Sequence, residues 1–363
     1  MKILYITNGI KGAGGLERVL SVKASYLAEQ LGHEVHILTL NHRAAPLFYN
    51  FSSKIQLHDI EVEGNPLRYI SQYRKGILQT IQNIQPDVIS VCDDGLKAFF
   101  LPLLLPKIPI VYERHVSKQI AYGANPSVAK KIRVGLQLQL MNVLGRYFDK
   151  FVVLTHDNLN EWNLPNTVVI PNPLSFYPEI QSALANKTVI AVGKHTHQKG
   201  FDRLLQSWAV ILQTQPEWIL EMYGKFDEQH SLQYLAKQLN IENSVRFFEP
   251  DPDIATRLLN ASVFAFSSRF EGFGMVLIEA MACGVPCVSF DCPCGPSDII
   301  RSGEDGFLVS NHDTDGFTQK LLELIENREL RLKMGAQAKI NVKRYLPEVV
   351  VKQWDELFKS LAI

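Results

Sequence analysis

The chain has 363 residues, 46% of them apolar and 20% charged, more core material than one domain normally needs, so two domains are expected. Lysine plus arginine equals aspartate plus glutamate at 37 each, which excludes a global field drawing the molecule to nucleic acid or anionic lipid; any such attraction must be local. The most apolar stretch, AFFLPLLLP at 98–106, contains Pro102 and Pro106 and is too short to span a bilayer.

The start, KILYITN at 2–8, is an apolar run of strand length leading into the glycine-bearing turn GIKGAGGLE and the helical pattern RVLSVKASYLAEQLG. HEVHILTL (33–40), PDVISV (86–91), IPIVYERH (108–115) and KFVVLT (150–155) repeat the strand format with helical segments between them. Such alternation predicts a parallel sheet covered on both faces.

The segment 168–179, VVIPNPLSFYPE, carries three prolines and little periodicity and reads as the interdomain linker. A second series follows: TVIAVGK (188–194), WILEMYG (218–224), SVRFFE (244–249), ASVFAFSS (261–268) and PCVSF (286–290). The closing stretch, LPEVVVKQWDELFKSLAI, reads as a terminal amphipathic helix able to pack back on either domain. The expected fold class is α/β, two doubly wound Rossmann-like domains over 1–170 and 171–345, with the helix 346–363 returning to the first. Their ligand crevices lie at the carboxyl ends of the strands, and facing crevices would form one cleft.

Four of the five cysteines, Cys283, Cys287, Cys292 and Cys294, fall close together. No paired C-x-x-C spacing appears, and Cys283 and Cys287 flank Gly284 and Pro286 where a helix runs into an apolar strand, so all four read as small buried hydrophobes. With no signal-peptide pattern, a reducing cytosolic compartment is expected.

Chemistry concentrates in three turns. In the first, Gly12, Gly14 and Gly15 precede Glu17 and Arg18; this is not a dinucleotide fingerprint, and either backbone approach to an anion or a tight packing turn satisfies it. In VGKHTHQKGFDRLL, 192–205, Lys194 ends a strand and Lys199 sits near a helix start, with Gly193 and Gly200 leaving the backbone accessible. Two ammonium groups converging there suit a diphosphate. His195 and His197 lie between them, without Cys or carboxylate partners in sequence, and read as solvated loop residues.

The third turn is RFEGFGMVLIEAMACGVP, 269–286, in which Glu271 and Glu279 flank a small apolar run. Glu271 is placed on the turn and Glu279 inside the helix, whose first turn exposes the amides of Gly274, Met275 and Val276. Glu279 lies on an apolar face where an unpartnered carboxylate is costly, and paired ribose hydroxyls would satisfy it. A structural account also stands: Glu279 bonding neighbouring backbone, and Glu271 favoured by the helix dipole.

With these residues the chain is similar to retaining GT-B glycosyltransferases of family 4. The resemblance rests on the E-x7-E pair Glu271 and Glu279 followed by EAMACGVP, on GGLERVL at 14–20, VIPNPL at 169–174 and VGKHTHQKGFDRLL, and it covers nearly the whole chain. It implies an acceptor mainly on the first domain and a nucleotide-sugar donor on the second. Glu279 is implied as the ribose ligand, and Glu271, with amides of Gly272, Phe273, Gly274 and Met275, as ligand of the donor sugar and phosphate. Lys199 and the basic residue after Gly193, here Lys194 where the family usually has arginine, are implied to hold the diphosphate, with Gly14 and Gly15 approaching it. His115 in YERH matches a position such enzymes place near the reacting sugar.

The resemblance implies transfer of a hexose or N-acetylhexosamine with retention, and no cofactor or metal is expected, because an activated diphosphate leaving group needs only charge stabilisation. The segment FDCPCGP resembles bacterial polysaccharide enzymes using UDP-sugars. A sugar-nucleotide epimerase and a noncatalytic glycan-binding protein are the alternatives, and neither explains the phosphate-directed lysines together with E-x7-E. Nucleic acid is not an expected partner.

Between Lys107 and Lys150 there are eight Lys or Arg and two acids, Glu113 and Asp149. The segment 125–150 mixes Lys130, Lys131 and Arg133 with an apolar helical face, which fits either a core-facing helix with a solvated basic side or peripheral contact with an anionic membrane. A lipid-linked glycan acceptor and peripheral inner-membrane contact through 127–150 are expected on the second reading.

Overall fold

A computed structural model describes residues 1–41 and 46–362, with backbone alone at Pro66 and Leu67. The chain divides into two compact units: Met1–Tyr122, Pro126–Ser175 and Pro347–Ile363 form one, Gly123–Asn125 and Phe176–Leu346 the other.

The first unit is built on seven parallel strands: β1 (Lys2–Thr7), β2 (Glu34–Leu40), β3 (Gln56–Ile60), β4 (Val88–Cys92), β5 (Ile110–Glu113), β6 (Lys150–Val153) and β7 (Thr167–Val169). Their order is β3-β2-β1-β4-β5-β6-β7, so the winding reverses between β1 and β4. Successive residues of β1 serve opposite faces: Ile3 and Tyr5 pack in one core cluster, Leu4 and Ile6 in another. Both faces are therefore covered, which is why β1 and β4 are continuous apolar runs rather than alternating ones.

One face is closed by the helix Gly15–Glu29 and the C-terminal helix Pro347–Leu361, which buries Val350, Val351, Trp354 and Phe358. Phe358 meets Tyr5 of β1 edge-on, with ring centroids 6.5 Å apart. The chain's last helix is thus part of the first unit's core.

The second unit has six parallel strands: β8 (Thr188–Val192), β9 (Ile219–Tyr223), β10 (Val245–Phe248), β11 (Val263–Phe266), β12 (Cys287–Asp291) and β13 (Gly306–Ser310), in the order β10-β9-β8-β11-β12-β13. Its reversal falls between β8 and β11. Cys283, Cys287, Cys292 and Cys294 are buried and stand outside any disulfide among the described residues.

Three short strands, β3, β7 and β13, escape the periodicity argument. All are sheet edges, where one-sided burial weakens the apolar signal. β7 runs into the start of the proline-bearing segment read as a linker, and Ile170 and Leu174 beyond it are buried, so the first unit runs to Ser175 rather than stopping at 170.

Candidate active site

In the second unit, β11 is fully buried and delivers the chain to Ser267 and Ser268 at the strand's carboxyl end. The turn that follows closes on Gly274, which holds φ +102°, a left-handed conformation that glycine adopts without strain, and which caps the helix Met275–Ala282. No side chain caps this helix, so its first-turn amides at Met275 and Val276 remain available to an anion at its positive end. Glu271 is buried on the turn: its Oε1 accepts from Lys199 Nζ at 2.6 Å and from Ser268 Oγ at 2.5 Å, and its own N–H donates to Pro293 O at 3.0 Å. Gly272 and Phe273 are buried beside it. Glu279 sits further along the helix with no exposed surface, among the buried apolar residues Leu277, Ile278, Ala280 and Met281.

Lys199 reaches Glu271 from the loop after β8, at the end of a single 3-10 turn, His197–Lys199. Gly200 next to it has φ +61°, and a Cβ there would lie 2.1 Å from Ser267 O, so only glycine lets the two loops approach this closely. Ser267 Oγ donates to Lys199 O at 2.9 Å. Two arginines complete the stitching. Buried Arg203 donates to Ser267 O (2.7 Å) and Ser268 O (2.9 Å) while lying 3.9 Å from the Phe290 ring centroid. Arg269 grips Asp202 through both carboxylate oxygens, at 2.8 and 2.5 Å. Burial, and then the neighbouring Arg269, bring Arg203 down to about 10, so it stays cationic at neutral pH. Sequence reasoning passed over both arginines, although KGFDRLL and RFEGFG contained them; their partners are backbone carbonyls and Asp202, which no local spacing indicates.

The two lysines expected to converge are not alike. Lys199 is half-buried and paired, whereas Lys194 is exposed and its ammonium makes no hydrogen bond or ion pair with a described residue. His195, expected to be solvated, is instead 5% exposed and ringed by Phe201, Phe226 and Phe247 at centroid distances of 5.8, 5.0 and 5.9 Å. Neither ring nitrogen has a hydrogen-bond partner, and burial lowers its pKa to about 4. His197 remains exposed. A cavity of about 540 Å³ adjoins His195, but Asp202, Asp227 and Glu228 line it and would repel a diphosphate.

In the first unit Gly14 caps the helix Gly15–Glu29, and Glu17 folds back so that a Cβ on Gly12 or Gly14 would collide with its carboxylate. This first-turn acid favours the helix dipole and occupies the approach to the glycines, so the turn is less open to an anion than its composition suggested. A cavity of about 420 Å³ lies at the carboxyl ends of β1, β2 and β4, lined by Thr7, Asn8, Lys11, Glu17, Asn41 and Asp94 together with Leu16 and Leu40 among others.

His115 follows β5. Its Nε2 lies 3.1 Å from Oε2 of Glu113, a carboxylate with no exposed surface that also meets Lys23 and accepts from Ser90 Oγ at 2.5 Å. Burial pushes the Glu113 pKa up, but the Lys23 ammonium and His115 outweigh it and hold the carboxyl at about 2. Among the described residues, Cys92, Glu113 and His115 form the single grouping with possible metal-ligand atoms within 4.8 Å of one another. The Lys23 ammonium already sits on Glu113, and burial holds the Cys92 thiol well above its ordinary range, so neither suits a divalent cation.

Two family descriptions match the chain: Glycosyltransferase Family 4 over residues 13–175 and Glycosyl transferases group 1 over 178–341. An uncharacterized glycosyltransferase of Haemophilus influenzae is 30% identical over 97% of this chain and 98% of its own. The amylovoran biosynthesis glycosyltransferase AmsD of Erwinia amylovora is 28% identical over 98% and 99%. Among solved structures, HepE of Anabaena in complex with UDP and glucose superposes with a TM-score of 0.79 at 20% identity, over 99% of this chain and all of that one, a likeness of fold. Two parallel doubly wound sheets in one chain make this the GT-B fold.

Proposed function

This chain belongs to the family 4 glycosyltransferases, and we propose that it moves a hexose or N-acetylhexosamine from a UDP-sugar to a glycan or lipid-linked glycan in bacterial surface polysaccharide synthesis. The observation that carries the reading is the Lys199–Glu271 pair at the carboxyl ends of β8 and β11, beside the uncapped N-terminus of the helix Met275–Ala282. A similar protein named for amylovoran synthesis and a similar fold solved with UDP and glucose support the acceptor and donor classes.

In the proposed reaction the bond between the sugar's anomeric carbon and the diphosphate oxygen breaks, and an acceptor hydroxyl bonds to that carbon on the same face. The acceptor proton passes to a phosphate oxygen of the leaving UDP, so the configuration is retained and no protein base is required. Lys199, Lys194 and the amides of Gly274, Met275 and Val276 stabilise the charge that develops on the diphosphate without a metal. Glu279 holds the ribose, Glu271 the donor sugar, and His115 hydrogen-bonds the transferred sugar.

The helix Val128–Gly145 favours a membrane-side acceptor. It buries Val134, Leu138, Met141 and Leu144, yet also exposes a second apolar stripe at Val128, Ile132, Leu136, Leu140 and Val143, continued by Tyr147. One stripe satisfies the core; the second, flanked by exposed Lys131, Arg133 and Arg146, matches an anionic bilayer surface. No helix among the described residues is long and apolar enough to cross a membrane.

The test is a panel of UDP- and GDP-sugars read first by thermal shift and then by nucleotide release with and without glycan acceptor. A UDP-sugar that raises the melting temperature and yields UDP with acceptor supports the proposal. Donor conversion without acceptor identifies an epimerase, and binding without nucleotide release a glycan-binding protein; either overturns it.

A further inference from the structure

His115 is tied into a buried charged chain that no part of the proposed chemistry requires. Lys23, on the helix Gly15–Glu29, is 1% exposed, and its ammonium lies 3.8 Å from the Trp354 ring centroid and 5.1 Å from that of Tyr5. The same ammonium meets Glu113 Oε2, and that oxygen is 3.1 Å from His115 Nε2. Ser90 takes the other carboxylate oxygen. Burying an ammonium and a carboxylate together is costly relative to an apolar pair of the same volume, so packing alone is a poor reason for this arrangement.

We propose that Glu113, kept ionised by Lys23, is the positioning residue that orients His115 and sets its tautomer for the sugar-transfer site. An ionised carboxylate only accepts hydrogen bonds, so Nε2 must carry the proton, and in neutral imidazole Nδ1 is then the acceptor. Lys23 governs how strongly Glu113 pulls on that proton. Trp354 covers Lys23, so the C-terminal helix supports the imidazole through two intervening side chains. The other titratable groups around the pair are Tyr5 on β1, Cys92 on β4, and Asp94, which engages Arg114 at 3.3 Å. Tyr5 and Cys92 are neutral near pH 7 because burial raises both, and Asp94 and Arg114 neutralise each other. Lys23 and Glu113 are left to set the field at His115.

The activity arm of the test rests on the proposed function; the structural arm does not. Nitrogen-edited NMR of the full chain, with His115→Gln identifying the resonance, reads the tautomer of His115. The Nε2–H tautomer is expected in the parent protein. Glu113→Gln removes the obligatory acceptor and is expected to raise the share of the Nδ1–H tautomer, whereas Lys23→Met keeps the carboxylate and with it Nε2–H. Glu113→Gln is also expected to lose about tenfold or more in kcat/KM. A merely structural chain would lower the melting temperature and leave the His115 tautomer where it was. An Nδ1–H tautomer in the parent, or a tautomer unmoved by Glu113→Gln, overturns the proposal. Should Glu113→Gln fold poorly, the charge-balanced Lys23→Met/Glu113→Gln double variant provides the comparison, and the parent tautomer decides without any variant. If no sugar transfer is found while the tautomer change appears, the enzymatic reading fails and the positioning of His115 stands.

Discussion

Lys199 Nζ donates to Glu271 Oε1 across 2.6 Å, so one charge-assisted bond joins the loop after β8 to the turn after β11. Both groups are proposed to meet the donor, which makes their removal non-additive. Lys199→Ala is expected to reduce kcat/KM by about 10²–10³, the usual effect of losing a donor aimed at developing charge. Glu271→Gln is expected to fall by a comparable factor, and the double variant by much less than the product of the two. Steady-state release of UDP over the four-member cycle measures this.

Glu279 has no exposed surface, so a conservative change there separates binding from folding. Glu279→Gln keeps size and hydrogen-bonding capacity; it is expected to weaken UDP by about tenfold, one charged hydrogen bond, with little change in melting temperature. Calorimetric titration with UDP checks the first part and a thermal scan the second. Unchanged UDP affinity would remove Glu279 from the ribose site.

Burial in an aromatic cage lowers the His195 pKa to about 4, below the ordinary value of 6.5. The native state therefore holds His195 neutral while the unfolded chain takes up a proton, so stability is fully present above pH 6.5 and is lost as the pH falls from about 6.5 to 4. The expected loss is about 2 kcal/mol, taken below the full shift for partial solvent screening. His195→Phe should flatten that part of the acid limb, seen as a gap from the parent in urea-unfolding free energy that widens between pH 7 and pH 5.

Gly200 combines φ +61° with a 2.1 Å approach of its would-be Cβ to Ser267 O. Gly200→Ala is expected to cost roughly 2–4 kcal/mol from strain and displaced backbone together, and to reduce activity because Lys199 precedes it. Urea unfolding gives the first quantity. An Ala variant of parent stability would mean the two loops are not held this close.

The exposed stripe of the helix Val128–Gly145 predicts salt-dependent binding to vesicles containing anionic lipid. Neutralising Lys130, Lys131 and Arg133 together removes about 1 kcal/mol each, on the order of a hundredfold in partitioning. Leu136→Ser, at a position 63% exposed, should weaken binding without destabilising the fold. Cosedimentation at low and high salt reads both; binding unaffected by the triple change would argue against this surface.

Much of the fold was legible because parallel strands buried on both faces are written as unbroken apolar runs, as in KILYIT and VFAF. The edge strands β3, β7 and β13 were not, since partial burial imposes little pattern. Within RFEGFGMVLIEA, the positions of turn, capping glycine and helix follow from neighbours in the chain, so Glu271 and Glu279 could be placed from spacing. His195 was misjudged for the opposite reason: what surrounds it is Phe201, Phe226 and Phe247, and two of these come from other loops and strands. At the glycines of 12–15 the sequence left both an anion approach and a packing turn open, and the folded-back Glu17 that crowds them follows from no spacing.

By itself the amino-acid order determined two doubly wound units, the glycine-bounded turn before the helix Met275–Ala282, and the family to which such turns belong, because backbone conformation and apolar periodicity are local properties. Only the tertiary structure decided which charges meet. Lys199 and Glu271 are 72 residues apart and Lys23 and Glu113 are 90 apart, and each pair forms because the sheet brings distant loops and helices together. It likewise decided which apolar stripe of the helix Val128–Gly145 is covered, since that depends on the surface the helix packs against and not on the helix alone.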